Sequence, residues 1–377
     1  MIHVMINQTR ERKGDHIKIC LEEDVQAKHI TTGFEDIFFV HRCLPEIDRE
    51  KIDLSTKLFN HKFSAPLIVG AMTGGTPEAT KINSTIAEAV QELGIGMGVG
   101  SQRAAIEDAK QECSFVETRR KAPTAFLIAN IGAPQLVQGW RIDQAQIAVN
   151  MIDADALAIH LNPLQEAVQP EGETNYAKAL GKIKEIAGNL SVPVFAKETG
   201  AGISNEDAKK LEEAGIKAID VSGAGGTSWA AVEYYRAKAA KDEKGKRLGE
   251  TFWDWGIPTA VSTFEVSNAV NVPVIASGGI RTGLDVAKAL ALGASLVSIS
   301  EPILQPATRS VGQVTRTLEF FIEELRNAMF LTGVSTIKKL RNVPIVVTGK
   351  TAQWLLVRGY QPRTLARQNG KDRSKHS

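Results

Sequence analysis

The chain has 377 residues, of which 43% are hydrophobic, so it is long enough to bury one large core. Its formal net charge of +2 provides no bulk attraction to nucleic acid or to an anionic membrane surface, and neither is expected as a partner. The three cysteines are far apart and form no CxxC pair, which argues against a disulfide framework and a zinc site. Since no apolar run has the length of a signal peptide core or a membrane helix, we expect a cytoplasmic protein.

Eight short apolar runs recur along the chain, and most are continuous rather than alternating, as in strands that are buried on both faces. The runs cover residues 66–72, 94–100, 125–131, 156–161, 192–196, 218–221, 273–276 and 295–299. Helical periodicity lies between them, most clearly at 80–93, 204–213, 285–292 and 313–331. Eight repeats of strand and helix favour an α/β fold, a closed (β/α)8 TIM barrel in a single domain, over an open doubly wound sheet.

Three segments fall outside the eight repeats. Residues 1–60 form an N-terminal extension ahead of the first barrel strand, and residues 237–258 form an insertion after the sixth. The insertion ends in an aromatic patch at 252–256, which suits either a contact between subunits or closure over a pocket. We assign residues 1–360 to the barrel domain and predict that 361–377 is a basic, polar and disordered tail.

The glycine pair Gly278-Gly279 follows the seventh apolar run and comes shortly before a helical pattern. Glycines let backbone N–H groups approach an anion closely, the helix N-terminus adds partial positive charge, and Arg281 can pair with the anion. In an eight-unit barrel, the loops after strands seven and eight commonly hold phosphate. The segment therefore predicts a phosphate site, although a tight turn alone would also need glycine.

Polar or glycine-rich residues follow the other predicted strands, at the barrel end where active sites form. Lys197 ends the fifth strand, where a buried ammonium needs an anionic or acceptor partner. The candidate partners are the N1–C2=O edge of a flavin, a substrate that forms a Schiff base, and a carboxylate such as Glu198 or Asp220.

The fourth strand is followed by a polar group that consists of His160, Asn162, Gln165 and Glu166. One carboxylate among amides is a poor zinc site, but it suits Mg²⁺, which keeps several waters and binds substrate phosphate oxygens. The side chains suited to gripping a second phosphate group are Arg12, Lys13, His16, Ser101 and Arg103. Taken alone, the pair at 12–13 is more typical of a flexible, solvated N-terminus.

Several motifs together resemble those of the type 2 isopentenyl-diphosphate isomerase family. The matching strings are R-K-x-x-H at 12–16, A-M-T-G-G at 71–75, G-V-G-S-Q-R at 98–103, H-L-N-P-x-Q-E at 160–166, Q-P-E-G at 169–172, S-G-A-G-G-T-S-W at 222–229 and S-G-G-I-R-T-G-L-D at 277–285. The last string is shared with many flavin-dependent barrels, whereas the combination of the others is much more specific. The resemblance extends from about residue 10 to residue 360.

This resemblance implies an FMN-binding barrel that interconverts isopentenyl and dimethylallyl diphosphates with reduced FMN and Mg²⁺, and with NAD(P)H as the flavin reductant. The residues implied to hold FMN are Ala71, Met72, Thr73, Ser101, Asn130, Lys197, Ser222, Thr227, Gly278, Gly279, Arg281, Ser300 and Glu301. Those implied to bind the substrate are Arg12, Lys13, His16, Ser101, Gln102, Arg103, His160, Asn162, Gln165 and Trp229, the last beside the apolar tail. Gln165 matches the family's active-site glutamine and Glu166 its magnesium ligand, and the resemblance also implies a homo-oligomer, a tetramer or an octamer.

Glu301 departs from the small residues that we expect after the eighth strand. A carboxylate beside a flavin phosphate would repel it unless only the backbone N–H of Glu301 takes part. For the proton transfers of the implied reaction, both the flavin N5 atom and Gln165 are candidates.

Two other flavin barrels and one non-catalytic reading compete with this assignment. A 2-hydroxy-acid oxidase needs a histidine base with paired arginines, and His160 is the only histidine near a predicted strand end. An inosinate-dehydrogenase-like enzyme needs a nucleophilic cysteine in a barrel loop, whereas Cys113 lies in a helical segment. A phosphate-binding scaffold without activity would have no reason to carry polar residues at nearly every strand end.

Overall fold

Eight parallel strands close into a barrel in the computed structural model, which describes the backbone of residues 2–367 and the side chains of residues 12–366. The strands, in chain order, are β1 (Ile37–Phe39), β2 (Thr56–Leu58), β3 (His61–Phe63), β4 (Leu67–Val69), β5 (Gly96–Gly98), β6 (Leu127–Gly132), β7 (Ala156–Leu161), β8 (Val194–Glu198), β9 (Ala218–Asp220), β10 (Val274–Ala276), β11 (Leu296–Ile299) and β12 (Ile345–Val347). The α-helices are α1 (Ile2–Glu22), α2 (Pro77–Leu93), α3 (Arg103–Glu107), α4 (Cys113–Lys121), α5 (Ala133–Val137), α6 (Ile142–Met151), α7 (Pro163–Val168), α8 (Ala179–Asn189), α9 (Asn205–Glu213), α10 (Trp229–Ala239), α11 (Glu243–Thr251), α12 (Thr259–Ser267), α13 (Gly283–Ala291), α14 (Glu301–Arg309), α15 (Val311–Leu331), α16 (Ile337–Leu340) and α17 (Gly349–Val357).

The barrel consists of β4 to β11 in chain order, and it closes where β11 pairs in parallel with β4. Each of the eight predicted apolar runs overlaps one of these strands, although β6 and β8 extend one and two residues beyond their runs. All residues of β4 and β10 are buried, as expected for parallel strands that are covered on both faces. The predicted TIM barrel is therefore confirmed.

Helices lie between the barrel strands, and local capping explains where several of them begin. The periodicity at 80–93 falls inside α2, which Thr76 caps at its start and Gly94 ends with a φ of 64°. Ser204 caps α9 by accepting a hydrogen bond from the backbone N–H of Asp207, as the sequence indicates. Thr282 and Asp285 form a reciprocal capping box at the start of α13, next to the glycine pair.

The N-terminal end of the barrel is closed by the antiparallel hairpin of β2 and β3. Phe63 of this hairpin packs against Phe126, which directly precedes β6, with ring centroids 5.4 Å apart. Phe59 lies between β2 and β3 and contacts Phe195 of β8 in the same way at 5.3 Å. Because this end is filled by aromatic rings, ligands can approach only from the C-terminal ends of the strands.

The N-terminal extension reaches across that C-terminal end. Its helix α1 packs against α3, α10 and α14, and it brings Arg12 and Lys13 into partly buried positions. The interpretation of this pair as part of a solvated N-terminus is therefore wrong, because the pair lies on a packed helix. The helix is anchored by tertiary contacts that its own weakly amphipathic sequence does not reveal.

The insertion at 237–258 begins within the last turn of α10 and includes α11, which packs against α10 as a helical hairpin, and α12 follows it. Its aromatic patch is divided between two environments. Trp253 is buried against Tyr234 and Tyr235, and it donates a hydrogen bond to the backbone oxygen of Gln26. Trp255 is 63% exposed. One half of the patch thus anchors the segment that follows α1, and the other half faces solvent.

The end of the chain differs in part from the predicted disordered tail. Pro362–Arg367 form a 3-10 helix, and Leu365 within it is buried, with 3% of its surface exposed. Burial of Leu365 and of Pro362 orders the segment, although its composition is mostly polar. The rest of the predicted tail lies outside the described residues. No helix within residues 2–367 combines the length and the apolar character needed to cross a membrane.

Candidate functional site

A cavity of about 260 Å³ opens at the C-terminal ends of the barrel strands, beneath α1. With the exception of Gln102, every residue that the sequence analysis assigned to cofactor, substrate or metal lines this cavity. Side chains from all eight barrel units and from α1 therefore meet at one place. Such convergence at this end of a barrel is typical of an enzyme active site.

Gln102 is completely buried and its side chain does not reach the cavity. Its amide nitrogen donates to the backbone oxygen of Ala148 at 2.8 Å, and its amide oxygen accepts from the backbone N–H of Asn130 at 2.8 Å. The structure thus does not support direct substrate binding by this side chain. It holds β6 in place, and Asn130 of β6 lines the cavity.

The glycine pair after β10 forms one wall of the cavity, and both glycines have a positive φ, 101° at Gly278 and 66° at Gly279. A Cβ atom at Gly279 would lie 2.4 Å from Cγ2 of Thr32. Packing alone therefore requires glycine at this position. The sequence offered two explanations for the glycine pair, a tight turn and close approach to an anion, and the two are compatible. Arg281 donates to Gln26 at 2.6 Å and pairs with Glu301 at 3.3 Å.

The pairing of Glu301 with Arg281 reduces the repulsion that we expect between the Glu301 carboxylate and a phosphate. Its carboxylate is compensated by the guanidinium, and its backbone forms the first residue of α14. The negative charge of Glu301 is thus paired with the arginine. The N-terminal end of α14, at Ser300, lies in the cavity wall.

Lys197 at the end of β8 pairs with Asp220 of β9, with 2.9 Å between Nζ and Oδ2. Of the two carboxylate partners that the sequence suggested for Lys197, the structure therefore shows Asp220. The other, Glu198, instead accepts hydrogen bonds from the backbone N–H groups of Thr199 and Gly200, both at 2.6 Å. Burial raises the pKa of Glu198 to about 7, although these backbone donors oppose the shift.

Basic side chains form the opposite wall. Lys13 of α1 donates to the backbone oxygen of Ser101 at 2.8 Å, and its pKa is lowered to about 7 by burial and by the charges of Arg12 and Arg103. Arg103 pairs with Glu107 at 2.9 Å and with Glu173 at 3.0 Å. An entering anion would relieve the mutual repulsion of these cations, so this wall is suited to a polyanionic group.

His160 lies between the two walls. Its Nδ1 atom is 2.8 Å from Oδ1 of Asn130, and burial together with the charge of Lys197 lowers its pKa to about 4. The imidazole is therefore neutral at physiological pH. It can exchange hydrogen bonds with a ligand but adds no positive charge to the site.

Glu166 of α7 is largely buried, with 8% of its surface exposed. It accepts hydrogen bonds from the side-chain amide of Asn162 at 2.8 Å and from the backbone N–H of Glu173 at 2.7 Å. Burial raises the pKa of this carboxyl group. No group of three or more His, Cys, Asp or Glu side chains among the described residues is arranged to hold a metal ion. A single carboxylate suits only a hydrated cation such as Mg²⁺ that also binds ligand oxygens.

The sequence analysis missed Glu233, a carboxylate of α10 that is 1% exposed. It lies 3.0 Å from Nε2 of His16, accepts from Gln165 at 3.3 Å and pairs with Arg236 at 2.6 Å. Burial alone would raise the pKa of Glu233, but His16 and Arg236 lower it overall. A signal was present in the sequence, because Glu233 lies four residues after Trp229 and therefore on the same helix face.

Comparison with known proteins assigns the chain to a family. The family model described as FMN-dependent dehydrogenase matches residues 7–159 and 116–346. An isopentenyl-diphosphate delta-isomerase of Methanosarcina barkeri is 51% identical over 362 residues, which cover 96% of this chain and 98% of that protein. One of Pyrococcus furiosus is 52% identical over 91% of this chain and 88% of its own length. The chain belongs to the isopentenyl-diphosphate delta-isomerase family.

Solved structures agree with the fold of this isomerase family. A mandelate oxidase in complex with (S)-2-phenylpropionate matches with a TM-score of 0.61 at 18% identity, covering 88% of this chain and 94% of that one. This likeness concerns the fold alone. Cys113 is exposed at the start of α4 and lies outside the cavity wall, so it is not placed as the nucleophile that the inosinate-dehydrogenase alternative requires.

Proposed function

We propose that the chain interconverts isopentenyl diphosphate and dimethylallyl diphosphate, with Mg²⁺ and reduced FMN bound and with NAD(P)H as the reductant of FMN. One observation carries the proposal: the glycine turn with Lys197 and the basic wall with Lys13 and Arg103 face the same cavity. Two anions of different kinds can thus bind side by side. Near 50% identity to proteins named for this reaction supports the same conclusion.

The wall that includes Gly278, Gly279 and Ser300 fits the phosphate and ring of FMN. The hydroxyl oxygen of Ser298, in this wall, is buried and has no hydrogen-bond partner among the described residues. An unsatisfied buried hydroxyl at such a position suits a polar ligand that completes its hydrogen bonding. Lys197 would donate to the N1–C2=O edge of the ring. When bound and reduced, FMN supplies an electron-rich ring next to the reacting alkene.

The basic wall fits the diphosphate of the substrate. Lys13, Arg103 and Arg12 would compensate its charge, and neutral His160 would contribute a hydrogen bond. Glu166 would hold Mg²⁺ against the same phosphate oxygens. Binding energy at this end positions the short apolar tail against Trp229, which lies in the cavity wall.

Moving the double bond requires one proton to be added at one carbon and another to be removed from a second. Gln165 lines the cavity, accepts from Asn162 at 3.1 Å and donates to Glu233 at 3.3 Å, so its amide is fixed from two sides. We assign it the role of holding or relaying a proton at the alkene. Helix α1 and Trp229 exclude water, which protects a cation-like intermediate.

The proposal is tested by adding isopentenyl diphosphate to the purified protein with FMN, Mg²⁺ and either dithionite or NADPH under anaerobic conditions. Dimethylallyl diphosphate, measured by mass spectrometry after chromatographic separation, is expected only in the complete mixture. Absence of product while FMN is visibly bound would contradict the proposal. Oxygen consumption with lactate or mandelate would instead favour a 2-hydroxy-acid oxidase.

Replacing Glu166 by glutamine should raise the Mg²⁺ concentration for half-maximal activity by about tenfold or more, because an amide is a weaker ligand for a hard cation. Steady-state rates over a Mg²⁺ titration measure this effect. Glu185→Gln, on the exposed surface of α8, is the matched control and should leave the requirement unchanged. An unaltered Mg²⁺ requirement in Glu166→Gln would remove this residue from metal binding.

The tetrameric or octameric state and the cytoplasmic location also stay predictions. Light scattering of the purified protein measures the first directly. The exposed Trp255, which packs against Phe252, is a candidate subunit contact, because exposed apolar patches commonly mark interfaces.

A further inference from the structure

Asp220, at the end of β9, is a buried carboxylate to which the proposed function assigns no role. One of its oxygens lies 2.9 Å from Nζ of Lys197, and the other accepts a hydrogen bond from the hydroxyl of Ser277. Both side chains of the ion pair are largely buried, with 12% of Lys197 and 9% of Asp220 exposed. Asp220 is therefore held by two partners in a place with little solvent screening.

Asp220 lies on the side of Lys197 that faces away from the main cavity. Lys197 and Asp220 are direct neighbours in the register of β8 and β9, and Ser277 follows the adjacent strand β10. Lys197 lines both the main cavity and a small void inside the barrel, whereas Asp220 lines only the void. The carboxylate thus contacts the ammonium from behind, on the side away from the ligand.

We infer that Asp220 is a positioning residue that fixes the Lys197 ammonium toward the N1–C2=O edge of FMN and compensates its positive charge. This inference rests on the proposed function, since it requires FMN in the main cavity. Reduction of FMN consumes two electrons and one proton and leaves a negative charge at that edge. An uncompensated ammonium would stabilise this charge strongly, and the carboxylate opposes it. Asp220 therefore lowers the reduction potential of bound FMN and keeps the reduced ring electron-rich, as the proposed isomerisation requires.

The test is an anaerobic dithionite titration of the FMN-loaded protein against a redox dye, followed by absorbance. Asp220→Asn should shift the midpoint potential upward, so that the ratio of reduced to oxidised FMN at a fixed potential rises by about tenfold or more. Asp155→Asn is the matched control. It removes the same charge from an ion pair with Arg119, at the opposite end of the barrel strands, and should leave the potential unchanged.

An unchanged or lower potential in Asp220→Asn with FMN bound would overturn the inference. If this variant does not retain FMN, Lys197→Gln is compared with the double variant Lys197→Gln/Asp220→Asn, in which the net charge of the pair is zero again. A higher potential in the double variant supports the inference, and equal potentials overturn it. A wild-type protein that binds no FMN would overturn the proposed function itself, whereas bound FMN with an unshifted potential in Asp220→Asn overturns only the role of Asp220.

Discussion

Replacement of Gln165 by alanine should lower the turnover number by about a hundredfold or more while FMN stays bound, because a group placed for proton transfer typically contributes this much. Its amide is fixed between Asn162 and Glu233 and borders the cavity, whereas the proposed FMN wall lies on other strands. Isomerase rates at saturating substrate, together with the absorbance spectrum of bound FMN, separate the two effects.

A control variant and the FMN content of Gln165→Ala together test this expectation. Gln146→Ala, on the outer helix α6, removes the same side chain away from the cavity and should keep full activity. Full activity in Gln165→Ala would exclude the residue from the chemistry. A loss of FMN in that variant would point to a structural role instead of proton transfer.

Glu233→Gln should raise the KM for isopentenyl diphosphate by about tenfold or more and lower the free energy of unfolding by about 3 kcal/mol, since it breaks a buried network of charged groups. The amide cannot accept from His16, Gln165 and Arg236 together, so α1 loses its anchor over the cavity. Steady-state kinetics and urea unfolding measure the two effects.

The exposed Glu243→Gln on α11 is the matched control and should change neither quantity. His16→Ala should also raise the KM, and the double variant should be less than additive, because both changes remove the same contact. A wild-type KM in Glu233→Gln would show that α1 is held over the cavity without this contact.

The barrel itself follows from local sequence pattern. Strands buried on both faces must be apolar almost throughout, and this requirement produced eight recognisable runs, each of which overlaps one barrel strand. The helices between them carry visible start and stop signals, as at Thr76, Gly94 and Ser204. The helices α2, α13 and α15 begin two or three residues before their periodic segments, whereas α9 begins one residue after its segment starts.

Side-chain direction was harder to predict than position along the chain. Ser101 and Arg103 reach the cavity, whereas Gln102 between them points into the protein and supports β6. In a turn, successive side chains diverge by angles that depend on the backbone path. A motif match therefore indicates a segment of the chain but not the direction of each of its side chains.

The sequence by itself determined the eight-unit barrel, the end at which its polar residues gather, and the isomerase family to which it belongs. Only the tertiary structure decided that α1 covers that end, that Glu233 joins α1 to Gln165, and that Asp220 rather than Glu198 pairs with Lys197. The physical reason is distance along the chain. Periodicity and capping depend on neighbours within a few residues, whereas these contacts join segments that only the closed barrel brings together.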